Sequence, residues 1–143
     1  MKISTKGRYA LRLAIDVARW GTTEPVSLTE TAERQGISVK YLEQIARKMT
    51  HAGIIQSTRG AHGGYQFARP TDQVTAGDIL RVCEGGTAPV ACLEDDFGLC
   101  PRRGECETIS FWEGLDQAIE NYVDSVSIAD LVTNSAHTSD NAC

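Results

Sequence analysis

The chain of 143 residues lacks any run approaching the roughly 20 consecutive apolar residues that a membrane-spanning helix needs. The opening Met-Lys-Ile-Ser-Thr-Lys-Gly-Arg carries its charges without an apolar segment behind them, so no export signal is read there either. A cytoplasmic protein is expected. Also missing are Gly-x-Gly-x-x-Gly, Gly-Lys-Ser/Thr, His-Glu-x-x-His and Gly-x-Ser-x-Gly, and histidine occurs only at 51, 62 and 137. With none of the common nucleotide, zinc-protease or hydrolase arrangements present, no enzyme is expected. Five cysteines make an odd number in a chain without an export signal, which argues against a disulfide framework. No internal repeat is present, and the length is that of a single domain with at most an appended element.

Basic residues are scarce in one half only. From Met1 to Pro70 there are 11 Lys and Arg against 5 Asp and Glu; from Thr71 to Cys143 there are 3 against 14. The net charge of -5 therefore hides a front of +6 and a back of -11. A basic front can hold a polyanion while the acidic back is kept away from it.

The basic front reads as three helices and a hairpin. From about Ser4 to Trp20, Ala10, Leu11, Ala14, Ile15, Val17 and Ala18 recur at helical spacing, and Gly21 and Pro25 end the run. Ser27-Leu28-Thr29-Glu30 has the form of a capping box, opening a second helix that runs to about Gln35 with Gly36 just beyond. Ser38 can cap a third helix through about Ala52, with Leu42, Ile45 and Met49 as its buried stripe. Two short helices joined by a tight turn form a helix-turn-helix pattern. The exposed face of the third would carry Lys40, Tyr41, Glu43, Gln44, Arg47 and Lys48. Glu and Gln suit base edges in a major groove, whereas Lys, Arg and Tyr suit phosphates. Ile54 to Thr58 and Tyr65 to Ala68 then read as two strands joined by Arg59-Gly60-Ala61-His62-Gly63-Gly64. A glycine-rich tip lets backbone approach phosphates, and Arg59 and His62 are placed to enter a narrow minor groove.

In the acidic back, Thr75 and Asp78 can cap a short helix through about Cys83, after which Gly85, Gly86 and Pro89 break regular structure. A long helix is expected from about Thr108 to Val126, where Trp112, Leu115, Ile119, Tyr122 and Val126 form a heptad-like seam suited to a core or to a symmetry mate. Ser127 to Asp130 caps a last short turn, and Thr133 to Cys143 reads as a polar, disordered tail. The expected organisation is a DNA-binding unit over 1-83, a cysteine loop over 84-107, a helix and cap over 108-132, and the tail over 133-143.

Between the two acidic helices, Cys92, Cys100 and Cys106 give a Cys-x7-Cys-x5-Cys pattern with Gly98, Pro101 and Gly104 inside it. Thiolates on such a loop suit an iron-sulfur cluster, with Arg102 and Arg103 favouring the charged form. Structural zinc more often uses Cys-x2-Cys pairs, which are absent, and metal-free redox thiols are the remaining reading.

The opening Lys2 to Leu11, the segments Gln35-Gly36-Ile37-Ser38 and Tyr41-Leu42-Glu43-Gln44, and Arg59 to Tyr65 together resemble the Rrf2 family of bacterial winged-helix regulators. The resemblance covers Met1 to Leu131 and is nearest to the IscR branch, with NsrR and CymR as relatives. It implies a mainly α fold with a small β-hairpin wing (α+β), a long C-terminal dimerisation helix and a homodimer that binds palindromic promoter DNA, expected as a repressor. It implies DNA contacts from Ser38, Lys40, Tyr41, Glu43, Gln44, Arg59, Gly60, His62, Gly63 and Gly64, and an iron-sulfur cluster on Cys92, Cys100 and Cys106. A 2Fe-2S cluster is expected, with 4Fe-4S as the alternative. The two positions from which relatives supply a fourth ligand carry Ile109 and Arg8 here, which points to Glu107 or Glu105 instead. A metal-free, CymR-like thiol or cysteine-metabolism regulator is the alternative, and a small iron-sulfur electron carrier a more distant one that leaves the basic helices without purpose.

Overall fold

A computed structural model of the chain describes residues 2-98 and 100-135, except the side chain of Phe97. Six helices and one two-stranded sheet follow in the order α1 (Thr5–Trp20), α2 (Leu28–Gln35), α3 (Val39–His51), β1 (Ile55–Thr58), β2 (Gly64–Phe67), α4 (Ala76–Glu84), α5 (Ile109–Ser125) and α6 (Ile128–Ser135). The fold is mainly α with a hairpin wing, as the residue pattern predicts.

Local chemistry sets most of the boundaries. Ser27 and Glu30 form a reciprocal capping box at α2, as do Thr75 and Asp78 at α4, each pair satisfying two amides that a helix start leaves unpartnered. Gly36 ends α2 at φ 64°, a left-handed conformation that costs glycine little and that turns the chain directly into α3. Strands β1 and β2 pair antiparallel, Ile55 opposite Phe67 and Thr58 opposite Gly64, so β2 starts and ends one residue earlier than the sequence suggests. Val26 extends this ladder: its N–H donates to the Tyr65 carbonyl at 2.9 Å and its carbonyl accepts from Tyr65 at 2.8 Å.

The core gathers Ala10, Leu13, Ala14 and Val17 of α1, Leu42, Ile45, Ala46 and Met49 of α3, Ile79 and Cys83 of α4, and Ile128 of α6. Helix α6 thus packs into the same core as the first four helices, although α5 separates them in sequence. Thr133, Asn134 and Ser135, expected as the start of a tail, continue α6, whose start is capped by Ser127 and Asp130. Residues 136-143, including His137 and Cys143, lie outside the described part.

Helix α5 is different in kind. None of its residues is buried. Trp112, Asp116, Ile119, Val123 and Val126 are half-buried, whereas Tyr122 and Phe111 are 70% and 63% exposed. The expected seam holds at Trp112, Leu115, Ile119 and Val126 and departs only at Tyr122, which faces outward while Val123 beside it is half-buried.

Candidate nucleic-acid interface and cysteine loop

The buried stripe of α3 fixes which residues it can offer outward. With Leu42, Ile45, Ala46 and Met49 inside, Lys40, Glu43, Gln44, Arg47 and Lys48 are exposed on the opposite side. Ser38 is used in the fold: its hydroxyl accepts the Tyr41 N–H at 3.2 Å and caps α3. Tyr41 is half-buried rather than fully outward, its ring packed edge-on against Tyr9 of α1 with centroids 5.6 Å apart. The Arg12 guanidinium lies 5.4 Å from the Tyr9 ring centroid and donates to the Gln35 side chain at 3.1 Å and to the Gln35 carbonyl, so α1 holds the turn that aims α3.

A second set of contacts locks α1 to α2. Asp16, only 2% exposed, accepts from the Thr31 hydroxyl at 2.7 Å, from Arg34 at 3.0 and 2.8 Å, and from Gln35 at 3.2 Å. Burial alone would raise the Asp16 carboxyl, but the bonds from Arg34, Thr31 and Gln35 outweigh it and hold the carboxyl below the usual aspartate range. Sequence reasoning missed this lock. The available signal was an aspartate on the apolar face of α1, between Ala14 and Val17, where a charge must find partners.

At the wing, Arg59, Gly60 and His62 are exposed, in keeping with a role in contact. Gly63 and Gly64 are half-buried and shape the turn. The Gly63 N–H donates to the Gly60 carbonyl at 3.0 Å, and a side chain on Gly64 would overlap the Val26 backbone. The Gly63 amide is thus occupied within the turn. Between α3 and the wing runs a groove of about 610 Å³ lined by Glu43, Arg47, Thr50, His51, Ser57 and Tyr65.

The three loop cysteines are free and half-buried, on a segment whose only regular pieces among the described residues are 3-10 turns at Ala91–Leu93, Asp95–Phe97 and Arg103–Glu105. Cys106 precedes α5, with its Sγ 3.5 Å from Thr108 Oγ1. Hydrogen bonds from the Thr108 side chain and backbone, then from the Ile109 N–H, with the Arg102 charge in support, lower its pKa. Arg103, expected to share that role, is paired with Glu113 at 2.6 Å. Cys83 is a core residue, 2% exposed, and burial pushes its thiol up, so it is a poor ligand.

The fold does not gather the loop thiols. Among the described residues no three Cys, His, Asp or Glu side chains converge as a metal site, and Glu105 and Glu107 point into solvent beside Cys106. The donor chemistry nevertheless fits an iron-sulfur cluster: three free thiols lie within one loop of low helical constraint, and one is already biased toward thiolate. Like-charged thiolates repel one another, so they have reason to close only around a cation. Of the two positions that the family resemblance offered for a fourth ligand, Arg8 is exposed and donates to Thr5 at 3.2 Å, and Ile109 has no donor atom.

Comparison with known proteins agrees with this architecture. The Rrf2 family model, described as an iron-dependent transcriptional regulator, matches residues 3–134. The chain is 41% identical over 143 residues to Protein rrf2 of Nitratidesulfovibrio vulgaris, covering 100% of this chain and 95% of that protein. Its fold is similar to T. potens IscR, with a TM-score of 0.76, 36% identity and coverage of 100% of this chain and 94% of the other. It is equally similar to CymR (YrzC), the global cysteine regulator of B. subtilis, with a TM-score of 0.76, 39% identity and coverage of 94% and 98%. Curated CymR of Bacillus subtilis, 40% identical over 133 residues, and IscR of Aliivibrio salmonicida, 33% identical over 134, are both named HTH-type transcriptional regulators. The winged helix, the interface geometry and the family match agree: this chain belongs to the Rrf2 family of DNA-binding transcriptional regulators.

Proposed function

We propose that this regulator is a cytoplasmic homodimer that represses promoters by binding palindromic duplex DNA, and that an iron-sulfur cluster on Cys92, Cys100 and Cys106 sets its affinity. The observation that carries the reading is the cysteine trio itself: three free thiols on one loop, with Cys106 biased toward thiolate at the start of α5. In this reading Lys40, Glu43 and Gln44 of α3 enter the major groove, Arg59 and His62 of the wing follow the minor groove, and Ser38 and Tyr41 hold the start of α3 in place. Gly60, Gly63 and Gly64 shape the wing tip.

The dimer is supported by α5, a helix of 17 residues with no buried position and an exposed apolar stripe through Phe111, Ala118 and Tyr122. A helix with such a face requires a partner. Two copies related by a two-fold axis would present two α3 helices to half-sites about 34 Å apart.

When bound, an iron-sulfur cluster, expected as 2Fe-2S with 4Fe-4S as the alternative, supplies one-electron chemistry and a corner open to oxidants or nitric oxide. The protein contributes three thiolates, with Glu107 or Glu105 as the nearest oxygen donors for the remaining position. An oxygen donor binds iron less firmly than a thiolate, which makes the site suited to sensing. The metal-free thiol reading is favoured by a separate observation, the lack of convergence of the three sulfurs among the described residues.

Anaerobic absorption spectroscopy with iron and sulfide analysis decides between them. Wild type is expected to be coloured and to carry iron and sulfide. Cys92→Ala, Cys100→Ala and Cys106→Ala should each lose the colour, Cys83→Ala should keep it, and Glu107→Ala should alter its lifetime. Colourless wild-type protein after anaerobic reconstitution would leave the thiol reading.

A further inference from the structure

Glu84 is the last residue of α4, immediately before Gly85 and Gly86, whose φ of 83° and 150° turn the chain into the cysteine loop. Its Oε1 accepts three hydrogen bonds from the start of α1: the Ser4 N–H at 2.9 Å, the Ser4 hydroxyl at 2.6 Å and the Gly7 N–H at 2.9 Å. The first amides of a helix have no partner within it, and Ser4, the residue at the cap position, does not bond them with its own side chain. The cap of α1 is delivered instead by a residue 80 positions away, as a carboxylate at the positive end of the helix dipole. Gly7 makes room for it, because a Cβ there would overlap Glu84 Oε1.

On the far side of the glycine pair, Thr87 is 7% exposed and its hydroxyl donates to Glu120 of α5. Arg81 of α4 donates to the same Glu120 at 2.7 Å and to Asp124 at 2.6 Å. The four-residue stem of the cysteine loop is thus pinned to α1 through Glu84 and to α5 through Thr87. Two residues beyond Gly7, Tyr9 packs on Tyr41 in the first turn of α3. A continuous set of contacts runs from the stem, through the start of α1, to the start of the recognition helix.

We propose that Glu84 is a positioning residue for DNA binding: by capping α1 it ties the stem of the cysteine loop to the first turn of α3, so that loop position and DNA affinity are linked. This rests on the reading of the loop as the sensing element, but not on what the loop holds.

Linkage is reciprocal, so if the loop biases DNA binding, DNA must bias the loop. The test uses the full-length, reduced, metal-free protein and a duplex selected by the wild type from a random-sequence pool, at concentrations that saturate each variant. The rate of iodoacetamide modification of Cys92 is followed by mass spectrometry with and without the duplex. In wild type the duplex should change the rate by about fivefold or more, and in Glu84→Ala and Gly7→Ala the change should fall below about twofold. Glu84→Gln, which keeps an oxygen acceptor, should retain most of the response. Should Glu84→Ala fail to fold, as judged by circular dichroism, Gly7→Ala against Glu84→Gln carries the same comparison. A cap-breaking variant that responds like wild type, or a wild type that does not respond, overturns the proposal. Absence of iron and sulfide would count against the cluster and leave this result standing.

Discussion

The two halves of the molecule are stabilised in different ways. Up to Cys83 the chain builds most of the core, around Leu13, Leu42, Ile45, Met49 and Ile79, each with no exposed surface, and Ile128 of α6 completes it. From Gly85 to Val126, Thr87 is the one buried position among the described residues. The basic front is held by burial of apolar surface and by locks such as Asp16 with Arg34. The stretch from Gly85 to Val126 is held at its edge by bonds from Thr87 and Arg81 to Glu120 and Asp124, and leaves Phe111 and Tyr122 exposed. A region that buries so little of itself opens locally at lower free energy than a packed core does.

Truncation inside the front core should be the most damaging change. Leu42→Ala removes a fully buried side chain of α3 and is expected to destabilise the fold by about 2 to 5 kcal/mol, read from urea unfolding. A loss under about 1 kcal/mol would mean that the front does not stand on this core.

Tyr122→Asp is the matching change in the back. At a position 70% exposed in the single chain it should leave the secondary structure intact, yet placing a carboxylate in an apolar contact should weaken self-association by about 3 kcal/mol, roughly a hundredfold in Kd. Sedimentation velocity reads the shift from dimer to monomer, and an undisturbed dimer would place the interface elsewhere.

Arg59→Ala acts on the front's function without touching its core. Affinity for duplex DNA should fall by about 1 to 3 kcal/mol, with a shallower dependence on salt as one cationic contact disappears. An identical titration curve at every salt concentration would remove the wing from the interface.

The smallest expected effect is pH-dependent. The folded Asp16 carboxyl titrates below its unfolded value, so its contribution is fully present above the ordinary aspartate pKa of about 3.9 and is lost as pH falls through the lower folded value. Asp16→Asn should lower stability by about 1 to 2 kcal/mol at neutral pH and by less in acid. Equal losses at pH 7 and in strong acid would show that the charge on Asp16 contributes nothing to the lock.

Much of the front was legible because its signals are local. Ser27 with Glu30 and Thr75 with Asp78 are three residues apart, and both capping boxes form as read. The apolar spacing of α1 and α3 placed Leu42, Ile45 and Met49 inside. The outward face of α3 followed from that, except that Tyr41 is drawn inward by Tyr9, a residue on another helix. The glycines of the wing were visible as a turn. That Gly64 lies against the Val26 backbone, with no room for a side chain, was not legible, because no neighbouring residue announces Val26.

The sequence by itself determined where the first four helices start and stop, which face of each is apolar, how the charge divides along the chain and which cysteines share a loop. These follow from interactions within one or two turns and from composition, which act whatever the rest of the chain does. Tertiary structure alone decided that α6 joins the front core through Ile128, that Asp16 finds Thr31 and Arg34, and that Glu84 caps a helix 80 residues before it. It also decided that Val123 and not Tyr122 turns inward on α5. The physical reason is common to all of these. A buried charge, an unpartnered helix start or a half-covered apolar stripe states a need in the sequence, but the group that meets it comes from a distant segment, and only packing brings the two together.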